Sequence, residues 1–137
     1  LSGGDGEDSI SGENGDDVLS GGADTDFISG GLGHDLLTGG TGNDSFYFGS
    51  EADSLPIAVD VITDFSHIEN DHINLASLPG TLQFRGTGPF LNTGGEVRTV
   101  DFGAFQRVYV NVDTDSEAEM VIRVNTPDAL VIADFTL

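Results

Sequence analysis

The sequence lacks cysteine, tryptophan and lysine, and it has no long hydrophobic run. Without cysteine there is neither a disulfide framework nor thiolate chemistry, so an extracellular form of the protein must be held together by something else. Zinc prefers cysteine or clustered histidine, and the three histidines show no zinc-type spacing. No apolar segment is long enough to span a bilayer, and we therefore predict no membrane insertion.

Positive charge is also scarce, because 24 acidic residues face only four basic ones, for a formal net charge of −20. Twelve of the acids precede residue 56, where there is no basic residue, so that part carries −12. The other twelve acids lie in residues 56–137 with all four basic residues, which are Arg85, Arg98, Arg107 and Arg123. Nucleic acids and anionic membrane surfaces repel such a chain, so we expect no nucleic-acid partner. Its natural partners are cations.

Glycine and aspartate are abundant before residue 48, where they recur every nine residues. The repeats are GGDGEDSIS, GENGDDVLS, GGADTDFIS, GGLGHDLLT and GGTGNDSFY. Their aspartates are Asp8, Asp17, Asp26, Asp35 and Asp44, and their apolar residues are Ile10, Leu19, Ile28, Leu37 and Phe46. Nine residues before Ile10 lies Leu1, so we expect the chain to begin inside a repeat of a longer array. Nine residues after Asp44 lies Asp53, which predicts a sixth, degenerate repeat.

A period of nine fits neither a helical face nor a long alternating strand. The GGxGxD part indicates a turn with positive φ angles, and the other three residues can form only a very short strand. Two such half-turns make an eighteen-residue coil, which stacks on the next coil at strand spacing, about 4.8 Å. Aspartates eighteen residues apart then lie above one another. A divalent cation between successive coils would remove their repulsion.

Calcium suits such a site best, because it accepts six to eight hard oxygen ligands in flexible geometry, backbone carbonyls included. Magnesium demands a stricter octahedral geometry and tends to keep its water. The expected carboxylate ligands are Asp8, Asp17, Asp26, Asp35, Asp44 and Asp53. The glycines expected to let carbonyls approach the ion are Gly3, Gly6, Gly12, Gly15, Gly21, Gly30, Gly33, Gly39 and Gly42.

The repeats resemble the glycine-rich nonapeptide GGxGxDxUx of RTX proteins over residues 1–47. The resemblance implies a parallel β-roll, the RTX solenoid, with calcium between turns on both edges. The implied edge pairs are Asp8 with Asp26, Asp26 with Asp44, Asp17 with Asp35, and Asp35 with Asp53 if the sixth repeat forms. Two repeats depart from the pattern, with Glu13 at the second glycine position and Asp24 at the third. Aspartate tolerates a left-handed backbone better than most residues, so Asp24 is expected to weaken its site without abolishing it.

Residues 56–137 show seven strand-like runs separated by glycine, proline and asparagine. A solenoid needs an end cap, since its last coil would otherwise expose an apolar face and free strand edges. We therefore predict an all-β fold, in which a β-roll over residues 1–55 continues into a mainly antiparallel β cap over residues 56–137.

The later stretches "VDVITDFSHIENDHINL" and "FRGTGPFLNTGGEVR" resemble the C-terminal RTX module of serralysin-type metalloproteases and of secreted mannuronan epimerases. The resemblance implies a secreted, extracellular protein with an upstream catalytic domain. It also implies that the terminal "DFTL" serves as a type I secretion signal, although a plain last strand explains these residues equally well. In such modules Asp60, Asp64 and Asp71 could complete a further calcium site at the end of the roll, with solvated acids as the alternative.

The remaining motifs give weaker indications of function. The run "DTDSEAEM" (113–120) resembles a calcium loop, but it lacks glycine at the sixth position and has Val124 where a bidentate glutamate belongs. This mismatch favours an acidic hairpin turn. There is no HExxH motif and no recognisable serine–histidine–acid arrangement, so we predict no catalytic site in these residues.

The leading hypothesis is a non-catalytic calcium-binding module that folds on calcium binding outside the cell. It would support type I secretion and the stability of the upstream domain. The alternative is a module that binds an alginate-like polysaccharide for an upstream carbohydrate-active enzyme, with the four arginines as its only basic groups.

Overall fold

The computed structural model describes residues 1–137 and contains thirteen β-strands and two short 3₁₀ helices. The strands are β1 (Ser2–Asp5), β2 (Ser9–Ser11), β3 (Val18–Ala23), β4 (Phe27–Ser29), β5 (Leu36–Thr41), β6 (Ser45–Tyr47), β7 (Asp60–Ile62), β8 (His72–Asn74), β9 (Gln83–Phe84), β10 (Glu96–Asp101), β11 (Gln106–Asn111), β12 (Met120–Val124) and β13 (Phe135–Thr136). The helices are η1 (Glu51–Ser54) and η2 (Ile132–Asp134). Neither helix has the length and apolar character needed to cross a membrane. The predicted all-β fold class is confirmed.

Strands β1 to β6 form the predicted β-roll, because successive repeats contribute their strands to two sheets in turn. Strands β1, β3 and β5 pair in parallel in one sheet, and β2, β4 and β6 pair in parallel in the other. Ile10 lies opposite Ile28 and Leu19 opposite Leu37, so neighbouring strands are one eighteen-residue coil apart. The coil length therefore agrees with the period of nine.

After β6 the coil lengthens. Strand β7 stacks on β5 with Ile62 opposite Leu37, and β8 stacks on β6 with Ile73 opposite Phe46. The extra residues of the first long coil include η1, which contains Asp53. The predicted sixth repeat is therefore wrong: the chain leaves the nine-residue register after Tyr47 and returns to the sheets only at β7.

The two sheets continue from the repeats into the cap. The first has eight strands in the order β1-β3-β5-β7-β12-β11-β10-β9, and the second has five in the order β13-β8-β6-β4-β2. Antiparallel pairing joins β10, β11 and β12, whereas β7 with β12, β8 with β13 and β9 with β10 are parallel. Both sheets therefore continue without interruption across the predicted boundary at residue 55.

One cluster of 20 buried apolar residues runs from the roll into the cap. The repeats contribute their predicted apolar residues, Ile10, Leu19, Ile28, Leu37 and Phe46. Ile62 and Ile73 continue these rows under the long coils. Because a packed core resists changes of spacing, it holds the turns of successive coils against one another at both edges of the roll.

Candidate metal sites on the edges of the roll

The turns of the roll require a left-handed backbone at the second and third glycine positions of each repeat. Gly4, Gly22 and Gly40 have φ values of 112°, 127° and 104° at the second position. Glu13 takes the same position with φ 71°, and Asp24 takes the third position of its repeat with φ 77°. A residue with a Cβ pays about 1–2 kcal/mol for this conformation, so both replacements keep the turn at a cost in stability.

The first glycine of each repeat leaves room for the carboxylate of the aspartate five residues later. A Cβ added to that glycine would collide with the aspartate side chain in every repeat, in the pairs Gly3 and Asp8, Gly12 and Asp17, Gly21 and Asp26, Gly30 and Asp35, and Gly39 and Asp44. A Cβ on Gly21 would also lie 2.6 Å from the carbonyl oxygen of Gly39. Because Gly21 has no side chain, the carboxylate of Asp26 and the carbonyl oxygen of Gly39 in the next coil can both approach this turn.

Backbone hydrogen bonds connect the aspartates of successive coils. The amide of Asp8 donates to Oδ1 of Asp26 (2.9 Å), and the amide of Asp26 donates to Oδ1 of Asp44 (3.0 Å). On the opposite edge the amide of Asp17 donates to Oδ1 of Asp35 (2.8 Å). The three edge pairs predicted within the repeats are thus brought together. In each pair one carboxylate oxygen is fixed by the preceding coil.

The two long coils supply the next aspartate on each edge. The amide of Asp35 donates to Oδ1 of Asp60 (2.8 Å), and the amide of Asp44 donates to Oδ1 of Asp71 (3.1 Å). We refer to the series Asp8, Asp26, Asp44 and Asp71, and to the series Asp17, Asp35 and Asp60, as the two seams.

In five of the seven seam aspartates the second carboxylate oxygen is buried without a partner, whereas Oδ2 of Asp71 accepts from the amide of Ser66 (2.8 Å). Oδ2 has no hydrogen bond in Asp8, Asp26, Asp35, Asp44 and Asp60. A buried carboxylate oxygen that lacks a donor is costly, and its usual remedies are a proton or a cation. The repeated arrangement therefore fits a metal ion, and the donor set of carboxylate and carbonyl oxygens fits calcium.

Burial raises the pKa of four seam aspartates. Desolvation is the largest cause in each case, partly offset by the hydrogen bond from the preceding aspartate's amide. The pKa of Asp60 rises to about 8 and that of Asp71 to about 6, and the pKa values of Asp35 and Asp44 are also raised. Neighbouring seam carboxylates add to each shift by repulsion. The seams therefore favour bound protons or cations over free carboxylates.

Asp53, which the nine-residue count selects as a ligand, lies elsewhere. Its Oδ2 accepts hydrogen bonds from the amides of Gly49 (2.8 Å) and Ser50 (3.0 Å) at the start of η1. Asp60 takes the predicted place of Asp53 opposite Asp35, so the pairing of Asp35 with Asp53 is wrong. Asp60 had a detectable signal, since "DVI" repeats the Asp-x-apolar pattern of the nonapeptides, but "DSL" at Asp53 shows the same pattern.

The other cap acids divide into two roles. Asp71 continues a seam, whereas Asp64 accepts from the amides of Gly39 and Gly40 through its two oxygens, both at 2.9 Å. Asp64 thus binds the glycine turn of the last repeat. The ligand roles of the glycine carbonyls and of the individual aspartates stay predictions.

Two further predictions concern the cap. The run 113–120 connects the antiparallel strands β11 and β12, so these residues form a hairpin connection. The terminal "DFTL" contains β13, which pairs with β8, so these residues do form a last strand. Asp134 anchors this end, because its Oδ1 lies 2.8 Å from Nδ1 of His67.

Two sheets of parallel strands, with glycine turns and stacked carboxylates on both edges, define a calcium-binding β-roll module of the RTX type. Residues 3–137 match the family described as Peptidase M10 serralysin C terminal, and the chain belongs to that family. No curated protein matches the sequence.

Two solved structures are similar over nearly the whole chain. Both are solution structures of subunits of a mannuronan C5-epimerase from Azotobacter vinelandii. The subunit AlgE6R2 is 25% identical with a TM-score of 0.65, and the alignment covers 98% of this chain and 89% of that one. The subunit AlgE6R3 is 21% identical with a TM-score of 0.54, and the alignment covers 98% and 79%. The second likeness concerns the fold alone.

Proposed function

We propose that this module is a calcium-dependent folding unit of a secreted protein. The observation that carries the proposal is the row of buried seam oxygens that have no hydrogen-bond partner. Asp26, Asp35, Asp44 and Asp60 would hold calcium between coils, together with glycine carbonyls of the same turns. Calcium would supply the positive charge that makes the stacked carboxylates compatible with burial.

The free energy of folding then depends on the calcium concentration. A site that binds only in the folded state stabilises it by about 2.7 kcal/mol when calcium is at 100 times the dissociation constant. Extracellular calcium modules bind at about 10⁻⁴–10⁻³ M, so a cell interior at much lower calcium would leave the seams unneutralised. The repeats would stay unfolded inside the cell and fold outside it.

The proposal also includes export from the cell and stabilisation of an upstream domain. Support comes from the family, whose description places it at the C-terminal end of a peptidase, and from the similarity to subunits of an epimerase. A module without a catalytic site of its own would fold after type I export and stabilise the catalytic domain attached to it.

The test is a calcium titration followed by far-UV circular dichroism. We expect β structure to be lost in excess chelator and to return cooperatively as calcium is added, because the seams link neighbouring coils. Magnesium at equal ionic strength is the matched control and should restore much less. A spectrum that is the same in chelator and in saturating calcium would contradict the proposal.

A second candidate function, binding of an alginate-like polysaccharide, is favoured by one surface of the cap. Arg107 of β11 lies directly opposite Arg123 of β12, and Arg98 of β10 lies opposite Tyr109 of β11. Because side chains alternate along a strand, these four residues share one side of the first sheet. Like charges opposite each other destabilise a sheet, so two paired arginines in so acidic a chain need another explanation.

The three arginines of this surface, which we call the arginine face, contact aromatic rings and no carboxylate. The guanidinium of Arg123 lies 4.2 Å from the ring centre of Phe105, and that of Arg107 lies 5.5 Å from that of Phe102. The only arginine near an acid is Arg85, at 3.7 Å from Glu96. Arg123 also donates through Nε to Oδ1 of Asn125 (3.1 Å). A polyuronate could place its carboxylates on these guanidinium groups, which have no acidic partner, and its sugar faces on the rings.

Titration calorimetry with alginate oligomers in saturating calcium tests this candidate. The double variant Arg107→Ala with Arg123→Ala should abolish the heat of binding. Arg85→Ala, which removes an arginine already beside Glu96, is the matched control and should change it little. Absence of heat with the unaltered chain at millimolar sugar would end this candidate and leave the calcium proposal untouched.

A further inference from the structure

The hairpin between β11 and β12 gathers three carboxylates far along the first sheet from the repeats. One carboxylate oxygen each from Asp113, Asp115 and Glu119 lies within 4.8 Å of the others. None of the three makes an ion pair, since the only pairs in the structure are His67 with Asp134 and Arg85 with Glu96. The hairpin thus concentrates negative charge without a protein cation.

Each of these carboxylates is held by one amide of the loop. Oδ1 of Asp113 accepts from the amide of Asp115 (2.8 Å), and Oδ1 of Asp115 accepts from the amide of Glu117 (2.7 Å). Oε2 of Glu119 accepts from the amide of Val112 (2.8 Å). One oxygen of each carboxylate remains available for another partner.

Asn111 gives an independent indication of a ligand. Its side chain is completely buried, with 0% of its surface exposed, and Nδ2 donates to the carbonyl of Asp115 at 2.7 Å. This bond turns the amide toward the loop and fixes Oδ1 as the free acceptor. Oδ1 is buried and has no hydrogen-bond partner. An unpaired buried acceptor costs about 1–3 kcal/mol, which a cation bound in the loop would remove.

We propose that Asn111, Asp113, Asp115 and Glu119 form a binding site for one divalent, oxygen-preferring cation, with calcium the expected ion. The four residues recur at odd positions along one loop, the spacing at which calcium loops present side-chain oxygens. Counting from Asp113 had placed Val124 at the last ligand position. Counting from Asn111 brings a fourth oxygen donor into the loop. Ser116 and Ile122 then stand at the sixth and the last positions, so the site would lack the glycine and the bidentate glutamate of a standard calcium loop.

Such a site differs from the seams in what it stabilises. It lies within one hairpin, so it would fix the connection of β11 to β12 without joining successive coils. Its affinity should fall in the weak range of extracellular modules, about 10⁻⁴–10⁻³ M, because two of the three carboxylates are exposed.

The test is the number of calcium ions bound per full-length chain, measured by equilibrium dialysis in millimolar calcium. Asp113→Asn combined with Asp115→Asn should bind one ion fewer than the unaltered chain. Glu117→Gln removes a charge from the same loop outside the carboxylate cluster and should bind the same number. An unchanged count in the double variant would overturn the proposal.

A crystal of the unaltered chain grown in terbium chloride provides a measurement that needs no variant. Anomalous scattering should show an ion among the oxygens of Asn111, Asp113, Asp115 and Glu119, in addition to any ions in the seams. Occupied seams with no anomalous peak in the hairpin would refute this site and leave the folding proposal intact. Empty seams with an occupied hairpin would support this site and refute the proposal of calcium-dependent folding through the seams.

Discussion

Asp60→Asn should stabilise the chain in the absence of calcium and should reduce the stabilisation that calcium provides. The side chain is 0% exposed, its Oδ1 accepts from the amide of Asp35 at 2.8 Å, and its Oδ2 has no partner. Asparagine preserves the size and the Oδ1 acceptor, but it replaces Oδ2 by an amino group that cannot bind a cation. The substitution therefore removes a ligand while leaving the hydrogen bond between the coils in place.

If the seam site between Asp35 and Asp60 is lost, the variant loses the stabilisation of about 2.7 kcal/mol that calcium at 100 times its dissociation constant gives the unaltered chain. Without calcium the variant should be more stable than the unaltered chain, and this gain offsets part of the loss in calcium. Burial raises the pKa of Asp60 to about 8, so keeping this carboxyl folded at pH 7 costs on the order of 4 kcal/mol relative to an ordinary aspartate. Asparagine avoids that cost but buries an unpaired amino group, worth about 1–3 kcal/mol.

The assay is urea unfolding followed by circular dichroism in 10 mM calcium, together with the β signal in chelator. Asp53→Asn is the matched control, because Asp53 accepts from the amides of Gly49 and Ser50 and its charge is the smallest contribution to the raised pKa of Asp60. Asparagine keeps an oxygen that can accept from these amides, so this variant should cost little stability and should leave the calcium dependence nearly unchanged. If Asp53→Asn changed the calcium dependence and Asp60→Asn did not, the assignment of the seams would be wrong.

Four further predictions concern the roll. In chelator, β structure should be greater at pH 5 than at pH 8, because the folded chain binds more protons while the pKa of Asp60 is about 8 and that of Asp71 about 6. Both pKa values exceed the ordinary value for aspartate, so the stabilisation by these bound protons is complete below about pH 4 and is lost as the pH rises through 6 and then 8. A rise of the circular dichroism β signal from pH 5 to pH 8 would refute this prediction. Calcium binding at pH 7 should accordingly release protons, measurable as a dependence of the calorimetric heat on the buffer. Glu13→Gly should raise the free energy of unfolding in saturating calcium by about 1 kcal/mol, since it relieves a left-handed φ of 71°, and an unchanged urea midpoint would contradict this. Gly39→Ala should weaken calcium-dependent folding, because its Cβ would collide with the Asp44 carboxylate. Gly103→Ala is a comparison in which the Cβ has open space and the only strain is that of a left-handed backbone, with φ 86°, which Gly39 does not have.

The repeats could be predicted from the sequence because local spacing determines their structure. A glycine turn and a three-residue strand leave one way to stack, and the apolar residues from Ile10 to Phe46 and the seam pairs from Asp8 to Asp44 lie where the period of nine places them. Phe46 and Phe48 are buried, whereas the ring of Tyr47 between them packs against the partly exposed ring of Phe27, with 5.2 Å between the ring centres.

The end of the roll could not be predicted in the same way. Asp53, Asp60 and Asp71 each precede an apolar residue by two positions, and local pattern alone cannot decide which of them enter a seam. Hydrogen bonds outside the local pattern determine which aspartate enters the seam. Ser54 donates to the carbonyl of Val121 (2.6 Å) and accepts from the amide of Asp60 (2.8 Å), which ties η1 to β12 and sets β7 in place. These partners lie 67 and six residues away along the chain.

The hydrogen bonds between seam aspartates all run in one direction, from the amide of the earlier coil to the carboxylate of the later one. The carboxylates that accept from the last two repeats, those of Asp60 and Asp71, lie at the start of β7 and just before β8, whose other neighbours β12 and β13 follow later in the sequence. Each repeat thus depends on a segment that comes after it in the sequence. During synthesis from the N-terminus, the nascent repeats would therefore lack their pairing partners until the segments that follow them have been made.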